Sequence, residues 1–249
     1  MIDVDEPELV LDFFGGKPGY FVEVGANEPR VRSQTWHLEQ KGWTGVLVEP
    51  LPHLARKLRQ TRRARVFENA CSSPQNAGRH LPLYVAGPLS SLDRGEMAPG
   101  AMPDGVIEVP IKTLDDILAD AGAQAPLDFI SIDVEGHEID VLRGFDLARW
   151  RPRLVLLEDH VGNLIKHRYI SRFGYRLIRR TGNNGWYVPA SADVAVNWPD
   201  RFALVRKYYL GLPFRVLRNR SRSLRQPFKD RAQLRRKARA EAALVQADI

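Results

Sequence analysis

The amino-acid sequence predicts an α/β fold: a mostly parallel seven-stranded sheet with helices on both faces, an antiparallel C-terminal hairpin and a basic helical tail. Three observations predict this architecture. Apolar runs of strand length alternate with helix-length amphipathic segments, which is typical of a parallel sheet with crossover helices. Several of these runs end in acidic residues. Towards the end of the pattern, Asn183-Asn184-Gly185 separates two short runs and favours a hairpin turn.

The same pattern assigns the individual elements in chain order. Strands are predicted over residues 20–24, 46–49, 65–68, 81–85, 106–111, 127–133, 154–157, 175–179 and 185–188. Helices are predicted over residues 32–41, 51–58, 114–118, 137–143 and 163–173. Gly42 is a candidate C-cap and Thr113 a candidate N-cap. The Gly/Pro-rich residues 86–105 are predicted to form a loop.

The net charge of +7 is unevenly distributed along the 249 residues. Residues 197–249 hold 14 Lys/Arg and 4 Asp/Glu, whereas residues 1–196 hold 23 Lys/Arg and 26 Asp/Glu. We therefore expect one domain over residues 1–196 and a basic helical tail over residues 197–249. Such an asymmetry indicates an anionic partner for the tail.

The first residues and the cysteine content predict the cellular compartment. The chain starts with an acidic segment that lacks the apolar core of a signal peptide, and no run approaches the roughly 18 apolar residues of a membrane span. The single cysteine, Cys71, excludes an internal disulfide and a cysteine-based zinc site. We expect a cytoplasmic protein, located at the inner face of the membrane if the tail binds lipid.

Carboxylates end four of the predicted strands, at Glu23, Glu49, Asp133 and Glu158-Asp159. In open α/β sheets, ligands bind at the carboxyl ends of the strands. The turn after the first strand, Gly25-Ala26-Asn27, has one glycine and lacks the Gly-x-Gly-x-x-Gly pattern that seats a pyrophosphate. This favours a cofactor that has an amino-acid part and a single nucleoside.

Three of these positions have predicted roles in holding such a cofactor. Glu23 is placed to hold an ammonium group, Glu49 to accept hydrogen bonds from both ribose hydroxyls, and Asn69-Ala70 to flank an adenine. The alternative is that Glu23 and Glu49 are only capping charges. The order of the three signals along the chain favours the cofactor interpretation.

Four segments of the sequence carry a family resemblance: Phe21–Asn27, Gly45–Pro50, Leu114-Asp115 and Ile132–Glu138 with Val141–Gly144. In these segments, across roughly residues 19–190, the sequence resembles the FkbM-type methyltransferases. The resemblance implies the Rossmann-like class I methyltransferase fold, S-adenosylmethionine as cofactor, and O-methylation, often of sugars in polysaccharide or natural-product pathways. The implied acceptor is a glycan, a lipid-linked saccharide or a glycosylated natural product.

The cofactor site that follows from this resemblance lies at the strand ends, with Asp133 near the transferred methyl group. The predicted cofactor-binding residues are Glu23, Gly25, Ala26, Asn27, Glu49, Pro50, Asn69, Ala70 and Asp133.

A sugar hydroxyl is a weak nucleophile, so a general base or a metal ion is expected to assist removal of its proton. The candidates for catalysis are Asp133, His160, His137 and Glu158. His160 directly follows a buried strand, whereas His137 is equally well explained as a surface residue at a helix N-terminus. The rival chemistry is a Mg²⁺ ion held by Asp133, Glu158 and Asp159.

The basic tail has three interpretations. A solvated basic helix explains residues 229–249, a peripheral membrane contact comes second, and nucleic acid is disfavoured because no recognition module accompanies the basic residues. Residues 202–212 also fit a helix that docks on the domain or on a second subunit of a homo-oligomer. The alternative functions are a methyltransferase acting on nucleic acid or protein, and a non-catalytic binding module on a methyltransferase fold.

Overall fold

A computed structural model describes residues 6–95, 97, 102–161 and 164–217 of the chain. The strands are β1 (Tyr20–Val24), β2 (Thr44–Val48), β3 (Arg65–Phe67), β4 (Ala70–Cys71), β5 (His80–Val85), β6 (Gly105–Lys112), β7 (Phe129–Ile132), β8 (Leu154–Glu158), β9 (Tyr175–Thr181) and β10 (Asn184–Pro189). The helices are α1 (Glu6–Phe13), α2 (Trp36–Gln40), α3 (Pro52–Thr61), α4 (Leu114–Ala121), α5 (Glu138–Arg143), α6 (Leu147–Trp150), α7 (Ile165–Arg172) and α8 (Trp198–Val205). A π-helical segment, Arg206–Leu210, follows α8, and residues 212–217 are helical.

Seven strands form the central sheet in the order β3-β2-β1-β7-β8-β10-β9. Strands β3, β2, β1, β7 and β8 are parallel, and β10 is antiparallel to both β8 and β9. The predicted fold, a mostly parallel sheet with a C-terminal antiparallel hairpin, is confirmed. The chain visits β1, β2 and β3 towards one edge of the sheet, and then β7 and β8 towards the other. Open α/β sheets bind ligands at such a switch in strand order, here between β1 and β7.

Apolar residues cover both faces of the central strands. Every residue of β7 and β8 is buried, as is every residue of β1 and β2 except the first. Val22 and Ile130 belong to one core cluster, whereas Phe21 and Phe129 belong to another. Alternate residues of the same strands therefore face opposite layers of helices.

The strands predicted over residues 81–85 and 106–111 are present as β5 and β6, in a separate three-stranded sheet. β5 is antiparallel to β6, and the two-residue strand β4 is parallel to β6. Leu83 and Ile111 pack with Leu51 and Leu54 in a small third core. This core holds the second sheet against the part of the chain that follows β2.

Two short helices, α1 and α6, were not predicted. Helix α1 has eight residues and buries only Val10, and α6 has four residues, so neither gives a clear helical period. The helix predicted over residues 32–41 begins at Trp36 instead. Its first residues form a loop because Gln34 and its neighbours bond to the carboxylate of Glu23.

The hairpin turn lies one to two residues before its predicted place. Asn184 and Gly185 pair within β10, so the connection between the strands is Gly182-Asn183. Gly182 has a φ of +51°, which glycine adopts without steric cost. The capping prediction at Thr113 is confirmed, because its hydroxyl accepts a hydrogen bond from the N–H of Asp116.

The described residues form two compact units. One comprises the described part of Met1–His160 with Ile165–Arg201, and the other comprises the described parts of Val161–Leu164 and Phe202–Ile249. The predicted tail begins at Asn197, one residue before α8, and residues 218–249 lie outside the described residues. Among the described helices, none has the length and apolar character that crossing a membrane requires.

Candidate active site

The turn after β1 brings the chain against the end of β7. Gly25 has a φ of +85°, and a Cβ atom there would lie 1.8 Å from the carbonyl oxygen of Asp133. The N–H of Gly25 donates to the carbonyl of Val48 (3.0 Å), and the N–H of Asp133 donates to the carbonyl of Val24 (3.0 Å). Only glycine fits this position, and backbone hydrogen bonds join the three strand ends here.

Glu49 follows β2 and is buried. Its Oε2 accepts a hydrogen bond from the N–H of Asn27 (2.8 Å), and its Oε1 accepts one from the N–H of Leu51 (2.9 Å). Burial raises the pKa of Glu49 to about 7 against these two hydrogen bonds, and the charge of Glu23 adds to the shift. Each oxygen has one donor and retains a lone pair that a ligand hydroxyl can use.

A cleft opens at these strand ends. Seven of the predicted cofactor-binding residues line it: Gly25, Asn27, Glu49, Pro50, Asn69, Ala70 and Asp133. Leu51 and Leu83 add apolar lining, and Glu135 and His137 add polar groups. The loop after β5 contributes Pro88 and Leu92.

Glu23 and Ala26, which were also predicted to bind cofactor, are not among the residues that line the cleft in the described structure. The Oε1 of Glu23 accepts a hydrogen bond from the N–H of Gln34 (2.7 Å), and its Oε2 accepts from the hydroxyls of Ser33 (3.0 Å) and Thr35. Ala26 packs in the core. These contacts favour a supporting position for Glu23, and its role towards an ammonium group stays a prediction.

Arg62 completes a buried polar cluster, which we define as Glu23, Glu39 and Arg62. Its Nε donates to Glu39 Oε2 (3.0 Å), and its Nη1 donates to the carbonyl of Pro29 (3.0 Å). Its Nη2 donates to the hydroxyl of Thr35 (2.8 Å), which also contacts Glu23. The cluster fixes the loop that leads from the Gly25 turn to α2.

A second group of carboxylates, which we call the acidic cluster, lies at the ends of β7 and β8. It consists of Asp133, Glu135 and Glu158, and one carboxylate oxygen of each lies within 4.8 Å of the other two. Glu135 has a φ of +51° in the turn before α5, and its carbonyl accepts a hydrogen bond from the hydroxyl of Ser91 (2.8 Å). The loop after β5 is thereby tied to the acidic cluster.

The carboxylates of the acidic cluster affect one another's pKa values. Burial and the charges of Glu158 and Glu135 raise the pKa of Asp133 to about 8. Burial, with the charge of Glu158, raises the pKa of Glu135 to about 7. Burial also opposes ionisation of Glu158, but the hydrogen bond and charge of His160 outweigh it and lower the pKa of Glu158. Near neutral pH the cluster therefore retains a proton. Protonated Asp133 donates a hydrogen bond to Glu158.

The two candidate histidines have different surroundings. His160 Nε2 lies 3.1 Å from Glu158 Oε1, and this hydrogen bond raises the pKa of His160. His137 lines the cleft, its Nε2 lies 2.9 Å from the hydroxyl of Ser72, and burial lowers its pKa. The contact with Glu158 therefore favours the protonated form of His160, whereas burial favours the neutral form of His137.

Lys166 and Glu138 form an ion pair that the sequence did not reveal. Lys166 Nζ lies 2.5 Å from Glu138 Oε2 and donates to the carbonyl of Glu158 (3.0 Å). The Oε1 of Glu138 accepts from the N–H groups of Val134 (3.3 Å) and Gly136 (3.0 Å). The pair therefore joins the turn after β7 to α7 and to the end of β8.

The structure corrects the third member of the predicted metal-ligand set. Asp159 Oδ2 lies 3.7 Å from Arg180 Nη1, and Glu135 joins Asp133 and Glu158 in the described carboxylate group instead. Consecutive residues of an extended chain point in opposite directions, so Asp159 and Glu158 cannot both face this group. The signal for Glu135 was its place two residues after Asp133, whereas no sequence pattern pointed to Lys166.

The fold and this cleft define a class I methyltransferase. The family model of the FkbM methyltransferase domain matches residues 23–177, and the chain belongs to this family. Family membership implies S-adenosylmethionine as the methyl donor. No curated protein matches the chain.

Several solved structures are similar to parts of the chain. Methyltransferase FkbM from Methylobacillus flagellatus KT is 15% identical with a TM-score of 0.44, over 69% of this chain and 43% of that one. Monomeric WbdD is 15% identical with a TM-score of 0.39, over 74% and 39%. The N-terminal domain of human METTL16 in complex with SAH is 11% identical with a TM-score of 0.36, over 73% and 66%. The chain spans less than half the length of the first two.

Proposed function

We propose that the protein transfers the methyl group of S-adenosylmethionine to a saccharide hydroxyl. The observation that carries the proposal is a single cleft in which Glu49 and Asn69 lie together with Asp133. A carboxylate for the ribose, a polar group for the base and an acid at the reacting end are then present in the order that the cofactor requires.

The cleft residues fit this cofactor. Glu49 keeps an acceptor lone pair on each oxygen for the ribose hydroxyls, and Leu51 and Leu83 offer apolar surface beside Asn69 for the adenine. Gly25 and Asn27 line the cleft at the turn after β1, where the proposal places the methionine part. In this proposal Glu23 acts indirectly, by holding the loop that follows the turn.

The acidic cluster supports a hydroxyl acceptor. Methyl transfer needs an acceptor oxygen aligned with the S–CH₃ bond, and the sulfonium is already activated, so positioning supplies most of the catalysis. Carboxylates of Asp133, Glu135 and Glu158 accept hydrogen bonds from a polyhydroxylated acceptor. In its ionised form the Asp133–Glu158 pair takes up the hydroxyl proton as the oxygen bonds to the methyl carbon and the S–CH₃ bond breaks, and His160 favours the ionised form of Glu158 beforehand.

The negative charges of the acidic cluster argue against a nucleic acid as the acceptor. A nucleic acid would bring phosphates towards three carboxylates, and the repulsion would oppose binding at this end of the cleft. A saccharide carries no such charge. This electrostatic difference favours the saccharide over RNA.

A divalent metal ion is a second candidate for assisting the proton removal. Three oxygens within 4.8 Å suit a hard cation, and the buried Oε2 of Glu158 has no hydrogen-bond donor among the described protein groups apart from a protonated Asp133. Asp133, Glu135 and Glu158 would hold the ion, which would polarise the acceptor hydroxyl. Turnover that survives a chelator unchanged would exclude this version.

Calorimetry with S-adenosylhomocysteine tests the cofactor part of the proposal, and we expect a dissociation constant in the micromolar range. Absence of binding near millimolar ligand would refute it. Methyl transfer from isotope-labelled S-adenosylmethionine to saccharides, peptides and RNA then tests the acceptor. Labelling of RNA or peptide in place of saccharide would overturn the acceptor assignment while leaving the cofactor assignment intact.

A further inference from the structure

The compact unit that begins at Phe202 exposes an unusual number of large apolar side chains. Seven of the sixteen residues 202–217 are apolar side chains between 45% and 75% exposed: Phe202, Val205, Tyr209, Leu210, Phe214, Val216 and Leu217. Scattered single apolar residues are normal on a protein surface, but a concentration of this kind marks an interaction surface. We call residues 202–217 the apolar segment.

Positive charge accompanies these apolar side chains. The apolar segment contains Arg206, Lys207 and Arg215 and no acidic residue. Residues 201–229 together hold nine Lys/Arg and no Asp/Glu. Arg215 is held in place by hydrogen bonds from its guanidinium to the carbonyls of Val161 (3.1 Å) and Lys207, so its charge is fixed within the segment.

We propose that the apolar segment binds the surface of an anionic lipid bilayer. Exposed aromatic and aliphatic side chains enter the boundary between headgroups and acyl chains, and the adjacent cations contact anionic headgroups. The described helices are too short to cross the bilayer, so this is a peripheral attachment. The proposal does not depend on methyl transfer.

Charge and side-chain type favour lipid over other partners. A second copy of the chain would bring like charges together in a two-fold contact, because the segment has only one sign of charge. A nucleic acid would match the charge, but Val205, Leu210, Val216 and Leu217 are aliphatic and have no ring on which a base stacks. A bilayer satisfies both the cations and the aliphatic side chains.

Flotation of the full chain with vesicles tests the proposal. We expect binding to phosphatidylcholine vesicles that contain about one third phosphatidylglycerol, at least about tenfold weaker binding to pure phosphatidylcholine, and weakening by salt. The double variant Tyr209→Ser/Phe214→Ser is expected to bind at least about tenfold more weakly. The double variant Arg206→Gln/Lys207→Gln is expected to lose about fivefold for each charge.

A matched control uses apolar residues of equal exposure in the other compact unit. Val31 and Met102 are 70% and 74% exposed, and Val31→Ser/Met102→Ser is expected to bind vesicles like the wild type. Circular dichroism and denaturant unfolding confirm that each variant folds. Equal binding by Tyr209→Ser/Phe214→Ser and wild type would overturn the proposal. So would RNA binding without vesicle binding, or a concentration-dependent dimer that the same variant dissociates and that does not bind vesicles.

Discussion

Two groups of carboxylates, the buried polar cluster and the acidic cluster, have opposite surroundings. In the buried polar cluster, Arg62 and three donors from the loop after the Gly25 turn satisfy Glu23 and Glu39. In the acidic cluster, Asp133, Glu135 and Glu158 face one another, and His160 and Lys166 contact only its edge. Carboxylates that hydrogen-bond donors and a cation satisfy stabilise a fold, whereas carboxylates that face one another indicate chemistry.

The largest expected effect comes from removing the Arg62 cation that compensates the buried carboxylates. Arg62→Met leaves Glu23 and Glu39 buried without a cation, and we expect a loss of about 3–5 kcal/mol in the free energy of unfolding. Urea denaturation measures it. The matched control is Arg59→Met, which breaks an exposed ion pair with Glu68 and is expected to cost less than about 1 kcal/mol. Equal losses in the two variants would show that the buried cluster has no special structural role.

In the acidic cluster, the expected effect is on rate and not on stability. Asp133→Asn is expected to lower kcat about a hundredfold, or about 2.7 kcal/mol in activation free energy, because the pair can no longer take up the acceptor proton. The wild-type rate is expected to rise towards pH 8 as Asp133 ionises, and this rise is expected to disappear in the variant. Asp120→Asn, at an exposed ion pair with Lys112, is the control. A variant with the wild-type pH profile would exclude Asp133 as the proton acceptor.

Raised carboxylate pKa values also predict how stability depends on pH. Glu49 and Glu135 have pKa values of about 7 in the folded protein, above their ordinary values, so the folded state binds more protons than the unfolded state between pH 4.5 and about 7. Their contribution to stability is complete below pH 4.5 and is lost as the pH rises through about 7. We expect the ligand-free protein to lose on the order of 2 kcal/mol between pH 5 and pH 8.

Denaturant unfolding at several pH values measures this loss. Glu49→Gln is expected to flatten the curve, whereas Glu68→Gln, at a half-buried residue that pairs with Arg59, is expected to leave it unchanged. Stability that increases from pH 5 to pH 8 would contradict the assigned pKa directions.

The smallest expected effect concerns the cofactor end of the cleft. Glu49→Gln keeps the size of the side chain but replaces one acceptor oxygen with a donor, so the N–H groups of Asn27 and Leu51 cannot both be satisfied. We expect about tenfold weaker binding of S-adenosylhomocysteine by calorimetry, with Glu68→Gln as the control. Unchanged affinity would remove Glu49 from the cofactor site.

The spacing of apolar residues along the sequence was sufficient to predict the central sheet and most of its helices. Buried strands such as β7 and β8 are continuous apolar runs, and the carboxyl ends of parallel strands meet at one edge, so the positions of Glu49 and Asp133 followed from the sequence. Whether a side chain enters the cleft depends on the alternation along the strand. Glu23 therefore points to the loop before α2, although its place at a strand end suggested a ligand.

The residues that were not predicted depend on tertiary contacts. Lys166 is 28 residues from Glu138 in sequence, and only the packing of α7 beside the turn after β7 brings their charges together. The separation of β5 and β6 into a second sheet depends on strand pairing, which a period of two residues does not specify. Likewise, Glu135 takes the place predicted for Asp159 beside Asp133 and Glu158 because of the left-handed turn at Glu135.

The contact between Gly25 and the backbone of Asp133 restricts how this enzyme can change during evolution. Any side chain at position 25 would collide with that carbonyl oxygen, so the turn after β1 and the end of β7 cannot shift independently. New acceptor preferences must therefore arise from substitutions farther out, such as those in the loop after β5 that contacts Glu135. Under the proposed function, the turn beside the methyl donor and the acid near it are therefore constrained together, whereas the acceptor side is free to diverge.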